Sequence, residues 1–256
     1  MKRHVFTLLF LFAACFANAQ SDSSARQNNT DQKKEDFRDD WADLRHYQSR
    51  NEILGAPKAG DKRVIFLGSS IFERWSDLMP EFFTNKNYIN RGISGQISPQ
   101  LLIRFRQDVI DLKPKAVIIL AGSNDIAGST GHVSNATIMN NIKSMSELAR
   151  LNGIRVILCA YLPVYDYPWR KGLQPAEKIV SLNKEIQAYA KKEGIVLLDY
   201  FNPLVDERKG QKGELTLDGV HPNAAGYKIM AKVTEEAIAK ALQGSGTIRK
   251  MQAQGK

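Results

Sequence analysis

Two adjacent hydroxyl groups stand where an apolar run of the sequence ends, in the stretch "FLGSSIFERW" (66–75). A serine in this place, Ser69 or Ser70, commonly caps a helix, and it can also act as a nucleophile when a base lies nearby. The stretch "LDGVHPN" offers such a base, because Asp218 stands three residues before His221. At that spacing the carboxylate can accept a hydrogen bond from imidazole Nδ1–H and leave Nε2 to take a proton.

Two further motifs supply hydrogen-bond donors, which acyl transfer needs for the negative oxygen that forms during the reaction. Asn124 in "AGSND" carries a side-chain amide just after another apolar run, and Gly95 in "GISGQ" carries a backbone N–H that no side chain shields. Each of these motifs alone also fits an ordinary turn or helix cap. Their joint occurrence with the serine, aspartate and histidine favours nucleophilic catalysis on a carbonyl group.

Other chemistries lack their signatures in this sequence. The residues after the first apolar run read "GSSIFE", which is not the G-x-G-x-x-G of dinucleotide sites, and no G-x-x-x-x-G-K phosphate loop or G-x-S-x-G elbow occurs. The histidines at 4, 46, 132 and 221 are far apart, and no H-E-x-x-H occurs. We therefore expect neither a metal site nor an organic cofactor.

Short apolar segments alternate with amphipathic stretches along the chain, and this alternation predicts an α/β fold. The predicted strands are 63–68, 88–92, 116–122, 154–161 and 195–200. The predicted helices are about 98–111, 137–151, 175–193 and 222–242, with a first helix from about Asp36 to Ile53. Unbroken apolar strands are buried on both faces, and helices between them imply right-handed crossovers. We therefore expect one domain over residues 36–243, a three-layer α/β/α sandwich with a central parallel sheet.

Four motifs occur in a fixed order, "FLGSSI", "NRGISGQ", "LAGSND" and "LDGVHPN", and three of them end predicted strands, where ligands bind in open parallel sheets. Together they resemble the SGNH hydrolases, also called the GDSL lipase/acylhydrolase family, over nearly the whole predicted domain. The resemblance implies a flavodoxin-like sandwich, a nucleophile at Ser70, and a catalytic triad completed by Asp218 and His221. It also implies an oxyanion hole made by the N–H groups of Ser70 and Gly95 and by the Asn124 amide.

Ser69 departs from the family pattern, which usually has Gly-Asp-Ser at this point. The missing aspartate bears on the loop structure and the pocket shape, because Asp218 already provides the carboxylate that orients the base. The alternative nucleophile, Ser69, is disfavoured because Ser70 aligns with the motif.

Six further residues are candidate substrate contacts because they flank a motif or follow a predicted strand: Arg91, Gln96, Tyr165, Tyr167, Trp169 and Arg170. The last four lie in the proline-punctuated stretch "YLPVYDYPWRKGLQP" (161–175). Aromatic faces there would stack on sugar rings or line an acyl pocket, and the arginine would meet an anionic group. The alternative is that these aromatic residues only pack their loop onto the domain.

Residues 1–19 read as a secretory signal peptide. Two basic residues precede an apolar run too short to span a bilayer, and a small-residue A-x-A cleavage site follows. We expect export to the periplasm or the medium without a transmembrane segment, a flexible leader over 20–35 and a flexible tail over 244–256. The alternative at this end is a lipoprotein acylated at Cys15, in "FAAC".

Charge and cysteine content exclude further classes of protein. The net charge is +9, but the basic residues are interspersed with acids and form no stripe typical of nucleic-acid binding. Removal of the signal peptide leaves Cys159 as the one thiol, which excludes a disulfide framework. Its apolar surroundings predict a buried structural cysteine.

These inferences predict an exported serine esterase that hydrolyses carboxylic esters through an acyl-enzyme. Export and the aromatic stretch favour short acyl groups, such as acetyl esters, on carbohydrate. One alternative is a lysophospholipase or thioesterase-type acylhydrolase with the same mechanism, and another is an acyltransferase with the same triad. The alternative from a different class is an inactive scaffold that binds glycans.

Overall fold

The computed structural model describes residues 40–84, 86–129, 131 and 133–243. The predicted signal peptide with Cys15, the predicted leader and the predicted tail lie outside the described residues. Within the described ranges, every helix is too short or too polar to cross a membrane.

A parallel sheet of five strands forms the centre of the domain in the described part of the chain. The strands are β1 (Val64–Gly68), β2 (Tyr88–Gly92), β3 (Ala116–Ile119), β4 (Arg155–Ala160) and β5 (Val196–Asp199). Their order is β2-β1-β3-β4-β5, and each neighbouring pair is parallel. The chain changes direction across the sheet between β1 and β3, which opens a crevice at the carboxyl ends of these strands. The arrangement confirms the predicted flavodoxin-like sheet.

Helices cover both faces of this sheet and confirm the three-layer sandwich. They are α1 (Gln48–Leu54), α2 (Ser70–Leu78), α3 (Glu81–Thr84), α4 (Ser98–Ile103), α5 (Ser123–Ile126), α6 (Asn135–Leu151), α7 (Ala176–Glu193), α8 (Phe201–Leu204) and α9 (Ala224–Gln243), with a π-helical turn at Arg106–Ile110 and a 3₁₀ turn at Gly213–Leu215. On one face, Tyr227 of α9 stacks on Trp75 of α2 with ring centroids 5.2 Å apart. On the other, α6 and α7 pack together, and they connect β3 to β4 and β4 to β5.

The buried core explains why the strands read as apolar runs. Residues 64–67 of β1 are completely buried, and the rings of Phe72 and Trp75 pack edge-on against Phe66. Burial of each large apolar side chain contributes about 1.5–3 kcal/mol, so this layer fixes the ends of the strands firmly. Cys159 in β4 is buried as predicted, and burial raises the pKa of its thiol.

The first predicted helix differs from the structure. Its described part forms turns and becomes helical only at Gln48, because Asp43 has a φ of 53°, a left-handed conformation that interrupts a right-handed helix. Residues 41–54, here called the N-terminal strap, nevertheless belong to the domain, since Tyr47 is buried and its hydroxyl donates to Gly92 O.

Two later helices differ from prediction at their boundaries. The helix predicted over 98–111 divides into α4 and the π-helical turn, next to Arg104, whose side chain is completely buried. α9 begins at Ala224, because the Asn223 side chain accepts hydrogen bonds from two N–H groups of the first helical turn.

Candidate active site

Ser70, His221 and Asp218 form one hydrogen-bonded chain, although the serine is far from the other two in the sequence. Ser70 is the first residue of α2, directly beyond β1. Its Oγ lies 3.0 Å from His221 Nε2, and His221 Nδ1 lies 2.7 Å from Asp218 Oδ2. When Nδ1–H donates to the carboxylate, Nε2 is left to accept the hydroxyl proton of the serine.

The loop that carries Asp218 and His221 is held by its own backbone. Asp218 Oδ1 accepts hydrogen bonds from the N–H groups of Val220 and His221, at 3.0 and 2.8 Å, and His221 O accepts from Leu217 N at 2.8 Å. Partial burial opposes ionisation of the Asp218 carboxyl, but the hydrogen bonds from the backbone and ring of His221 outweigh it and hold its pKa below the usual value. The carboxylate is therefore charged at neutral pH.

Two candidate oxyanion donors besides Ser70 lie in the segments after β2 and β3. Gly95 is exposed and has a φ of 78°, so its backbone conformation favours glycine even though an added Cβ would meet nothing within 4 Å. Asn124 lies in α5, and its Nδ2 donates to Gln96 O at 2.9 Å. An amide nitrogen carries two hydrogens, and this bond uses one of them.

The loop after β2 (93–97, here called the oxyanion loop) is fixed against the first turn of α2. Gly92 is needed at its start, because a Cβ there would lie 2.4 Å from Glu73 N and 2.7 Å from Ser69 O. The Glu73 carboxylate also accepts hydrogen bonds from Ser94 N, at 3.0 Å, and from the Ser94 hydroxyl. The role of Glu73 was not predicted from the sequence, although its position three residues after Ser70 could have indicated a residue close to the candidate nucleophile.

Asp125 joins the end of the oxyanion loop to the segment after β3. Its carboxylate accepts hydrogen bonds from Ser98 N at 2.9 Å and from Ser98 Oγ at 2.6 Å. Burial raises the pKa of the Asp125 carboxyl, and the bonds from Ser98 act against that rise. Asn124 and Asp125 therefore form hydrogen bonds with two residues of the same chain segment, Gln96 and Ser98 respectively.

Ser69, where the family pattern usually has aspartate, is buried among hydroxyl groups. Its side chain lies near the hydroxyl of Tyr161, and so does that of Ser123. Burial raises the pKa of Tyr161 to about 12, so this hydroxyl stays protonated at neutral pH. A neutral serine therefore suits the position, because the surrounding hydroxyls require no charged partner.

The second described histidine, His46, is part of the N-terminal strap. Its Nδ1 lies 3.1 Å from Asp43 Oδ2. This pair is separate from the hydrogen-bonded chain of Ser70, His221 and Asp218. Among the residues that the structure describes, no group of three or more histidine, cysteine, aspartate or glutamate side chains is placed to hold a metal ion.

Residues 65–229 match the sequence model of the GDSL-like Lipase/Acylhydrolase family. The chain belongs to this family. The solved structure of a GDSL-like lipase from Bacteroides thetaiotaomicron has 45% sequence identity and a TM-score of 0.77, and the match covers 78% of this chain and 99% of that chain. These matches confirm the resemblance to the SGNH hydrolases and support an ester or acyl hydrolase.

Two further relatives match parts of this GDSL-like chain. Esterase TesA of Pseudomonas aeruginosa is 28% identical over 170 residues, which are 65% of this chain and 78% of TesA. The uncharacterized lipoprotein YqeF of Bacillus subtilis is 35% identical over 85 residues, which are 32% of this chain. The match spans 35% of the length of YqeF.

In the structure of this GDSL-like protein, the side chains of Arg91 and Gln96, two of the candidate substrate contacts, are buried. The Arg91 guanidinium donates to Asn51 Oδ1 at 2.6 and 2.9 Å and lies over the Tyr47 ring, 4.6 Å from its centroid. The Gln96 side chain donates to Ala42 O at 2.7 Å. Both residues therefore bind the N-terminal strap.

The aromatic loop (165–174) divides into buried and accessible rings. Tyr167, another candidate substrate contact, is completely buried, and its hydroxyl donates to Ser123 O at 2.9 Å. Trp169 lies on Tyr167, with ring centroids 5.2 Å apart, and is 53% exposed. The Trp169 ring centroid is also 6.0 Å from that of His221, which places an accessible indole beside the imidazole.

The remaining candidates in the aromatic loop are bound to other loops. Tyr165 is 44% exposed, and the Arg208 guanidinium lies over its ring at 5.0 Å. Arg170 Nη1 donates to Ala127 O at 2.5 Å and to Gly128 O at 3.0 Å, just beyond α5. This arginine therefore fastens the aromatic loop to the segment that carries Asn124.

Asp166 shapes the aromatic loop and was missed by sequence reasoning. Its carboxylate accepts hydrogen bonds from the N–H groups of Gly172 at 2.7 Å, Tyr167 at 3.0 Å and Gln174 at 3.3 Å. The bond from Gly172, together with the other backbone bonds, lowers the pKa of the Asp166 carboxyl. An aspartate amid turn residues is a typical signal for such a loop.

Proposed function

We propose that this protein is a serine esterase that hydrolyses carboxylic esters through an acyl-enzyme at Ser70. The observation that carries the proposal is the chain of hydrogen bonds from Ser70 Oγ to His221 Nε2, at 3.0 Å, and from His221 Nδ1 to Asp218 Oδ2, at 2.7 Å. A hydroxyl, a base and an orienting carboxylate in this order are the groups that acyl transfer requires.

The reaction would proceed in two halves. His221 Nε2 takes the proton of Ser70 as Oγ attacks the ester carbonyl carbon, and the same proton passes to the alcohol oxygen when its bond to carbon breaks. Water then attacks the acyl-enzyme as His221 removes its proton, and release of the acid restores the Ser70 hydroxyl. Asp218 stabilises the imidazolium that forms in each half.

The oxyanion would be bound by the N–H groups of Ser70 and Gly95 and by the Asn124 amide. The hydrogen of Asn124 Nδ2 that does not bind Gln96 O supplies the side-chain donor. Fixed donors of this kind stabilise the charge that develops in the transition state.

The substrates we propose are short acyl esters, acetyl above all, on carbohydrate. Support comes from Trp169, whose half-exposed indole lies beside His221, the group that delivers a proton to the leaving alcohol. A flat aromatic face next to the leaving group suits a sugar ring. Leu217, 57% exposed next to Asp218, is the feature that favours the alternative of lipid or thioester substrates.

The experiment that tests the esterase measures turnover of para-nitrophenyl acetate, para-nitrophenyl octanoate and acetylated polysaccharide. Ser70→Ala should abolish release of acid, while the matched variant Ser69→Ala, which removes the neighbouring hydroxyl, should keep most of it. Preference for acetate supports the carbohydrate deacetylase, and strong preference for octanoate moves the assignment to lipids. Turnover that survives Ser70→Ala, or no turnover of any ester, overturns the proposal.

We also propose that residues 1–19 direct export and are removed after Ala19. The partial likeness to the lipoprotein YqeF supports an exported protein. N-terminal sequencing and intact mass of the exported chain test this, with Gln20 expected as the first residue. A lipid-sized mass increase at Cys15 would establish the lipoprotein instead.

A further inference from the structure

Arg104 is the centre of a buried polar network that connects β1, β2 and the oxyanion loop. Its side chain is completely buried, and Nε donates to Gln96 Oε1 at 2.6 Å. Nη2 donates to the carbonyl oxygens of Arg91, at 2.6 Å, and Gly68, at 3.0 Å, near the ends of β2 and β1. Nη1 forms an ion pair with the buried Asp108 carboxylate at 2.8 Å. The guanidinium thus fixes the two strand ends and the oxyanion loop relative to one another.

Gln96 connects this network to Asn124. Its side chain is bound at both ends, since Oε1 accepts from Arg104 while Nε2 donates to Ala42 O of the N-terminal strap at 2.7 Å. Its backbone carbonyl accepts from Asn124 Nδ2 at 2.9 Å. Because Gln96 is held from three sides, the direction in which the Asn124 amide points is fixed as well.

Gln107 offers a comparison with the same chemistry outside the oxyanion loop. It lies in the π-helical turn, and its Nε2 donates to Leu44 O of the strap at 2.6 Å. Gln96 and Gln107 therefore each attach the strap through one amide donor to one backbone carbonyl, and Gln96 alone of the two also bears the carbonyl that binds Asn124.

We propose that Gln96 and Arg104 are positioning residues that direct the Asn124 amide toward the substrate oxygen, with the N-terminal strap as their outer support. The inference rests on the proposed function. A donor acts in the reaction only when it points at the position that the oxyanion occupies. Since that oxyanion forms only in the transition state, a misdirected amide lowers kcat and leaves KM almost unchanged.

The experiment compares Gln96→Met with its matched control, Gln107→Met, on para-nitrophenyl acetate. Each variant replaces a strap-bound glutamine by an unbranched side chain of similar length. We expect Gln96→Met to lower kcat on the order of ten-fold, with little change in KM, because small displacements of catalytic groups are costly. We expect Gln107→Met to stay within about two-fold of the wild type. Thermal unfolding of both variants reports the loss of stability separately.

The same substitution in an Asn124→Ala background tests whether Gln96 acts through Asn124. If it does, Gln96→Met changes kcat there by less than about two-fold, because the group it positions is already gone. An equal ten-fold loss in both backgrounds, or an equal loss in Gln107→Met, overturns the inference and leaves Gln96 with a structural role.

A second variant keeps the test decisive if Gln96→Met does not fold. Gln96→Glu retains an acceptor for Arg104 and loses the donor to Ala42, and we expect a smaller loss of kcat that again disappears in the Asn124→Ala background. A loss that persists there overturns the inference. Ser70→Ala in the same assay separates failure of the proposed function from failure of the positioning inference. Turnover that survives Ser70→Ala contradicts the proposed function. If Ser70→Ala abolishes turnover but the effects of Gln96→Met and Asn124→Ala on kcat are additive, only the positioning inference is contradicted.

Discussion

The two halves of the candidate site are built in different ways. Asp218 and His221 are three residues apart, and hydrogen bonds within residues 217–221 hold their loop. The candidate oxyanion donors come from segments after three different strands, and the Asn124 amide donates to the backbone oxygen of Gln96, whose side-chain partners lie in distant parts of the chain. The half that contains the base, Asp218 and His221, is thus held by contacts local in sequence. The geometry of the other half, the candidate oxyanion donors, depends on buried contacts between distant parts of the chain. A short motif can specify the first kind of geometry but not the second.

Asp218→Asn probes the local half of the site without unfolding its loop. The amide can still accept the two backbone hydrogen bonds of the loop, but it cannot stabilise the imidazolium, and its NH₂ favours the wrong tautomer of His221. We expect kcat to fall on the order of 10⁴-fold with an unfolding temperature near that of the wild type. A fall below about ten-fold, measured by the same ester assay, would mean that the loop orients the ring without a charge.

Asn124→Ala probes the other half and should cost less. Loss of one oxyanion donor lowers kcat on the order of 10²–10³-fold, because the N–H groups of Ser70 and Gly95 still bind the oxygen. Steady-state kinetics with para-nitrophenyl acetate measure the effect, and circular dichroism checks that the fold is retained. Normal turnover by this variant would remove Asn124 from the site.

The sequence predicted the elements and the motif residues because both depend on local patterns. Apolar runs gave the strands, and the strand ends brought Ser70 and Asn124 to one edge of the sheet. The burial of Arg91, Gln96 and Tyr167, three of the candidate substrate contacts, could not be predicted from the sequence for the opposite reason. Their polar groups are satisfied by partners far along the chain, such as Asn51 for Arg91, and no spacing in the sequence reports such a contact.

Trp169→Ala should have a smaller effect, confined to the side of the site next to the base. Removal of an exposed aromatic platform weakens stacking by about 0.5–1.5 kcal/mol, which corresponds to a rise in KM of roughly two- to ten-fold. We expect this rise for acetylated oligosaccharides and little change for ethyl acetate, which has no ring to stack. An equal change for both esters would assign Trp169 to the packing of the loop instead.

Acidification should act on the aromatic loop through Asp166, with the smallest effect. Its hydrogen bonds from backbone N–H groups lower the pKa of the carboxyl from its usual value of 3.8. The charged carboxylate therefore supports the loop at pH values above 3.8, and this support disappears as the pH falls through the lower pKa of the folded state. The fluorescence of Trp169 reports the change and is obtained as the difference between the wild type and Trp169→Phe. This difference should be constant above pH 3.8 and should shift at lower pH. Asp166→Ala should show the shifted fluorescence already at neutral pH. If its fluorescence at neutral pH matches that of the wild type instead, other contacts, such as those of Arg170, suffice to hold the indole beside His221.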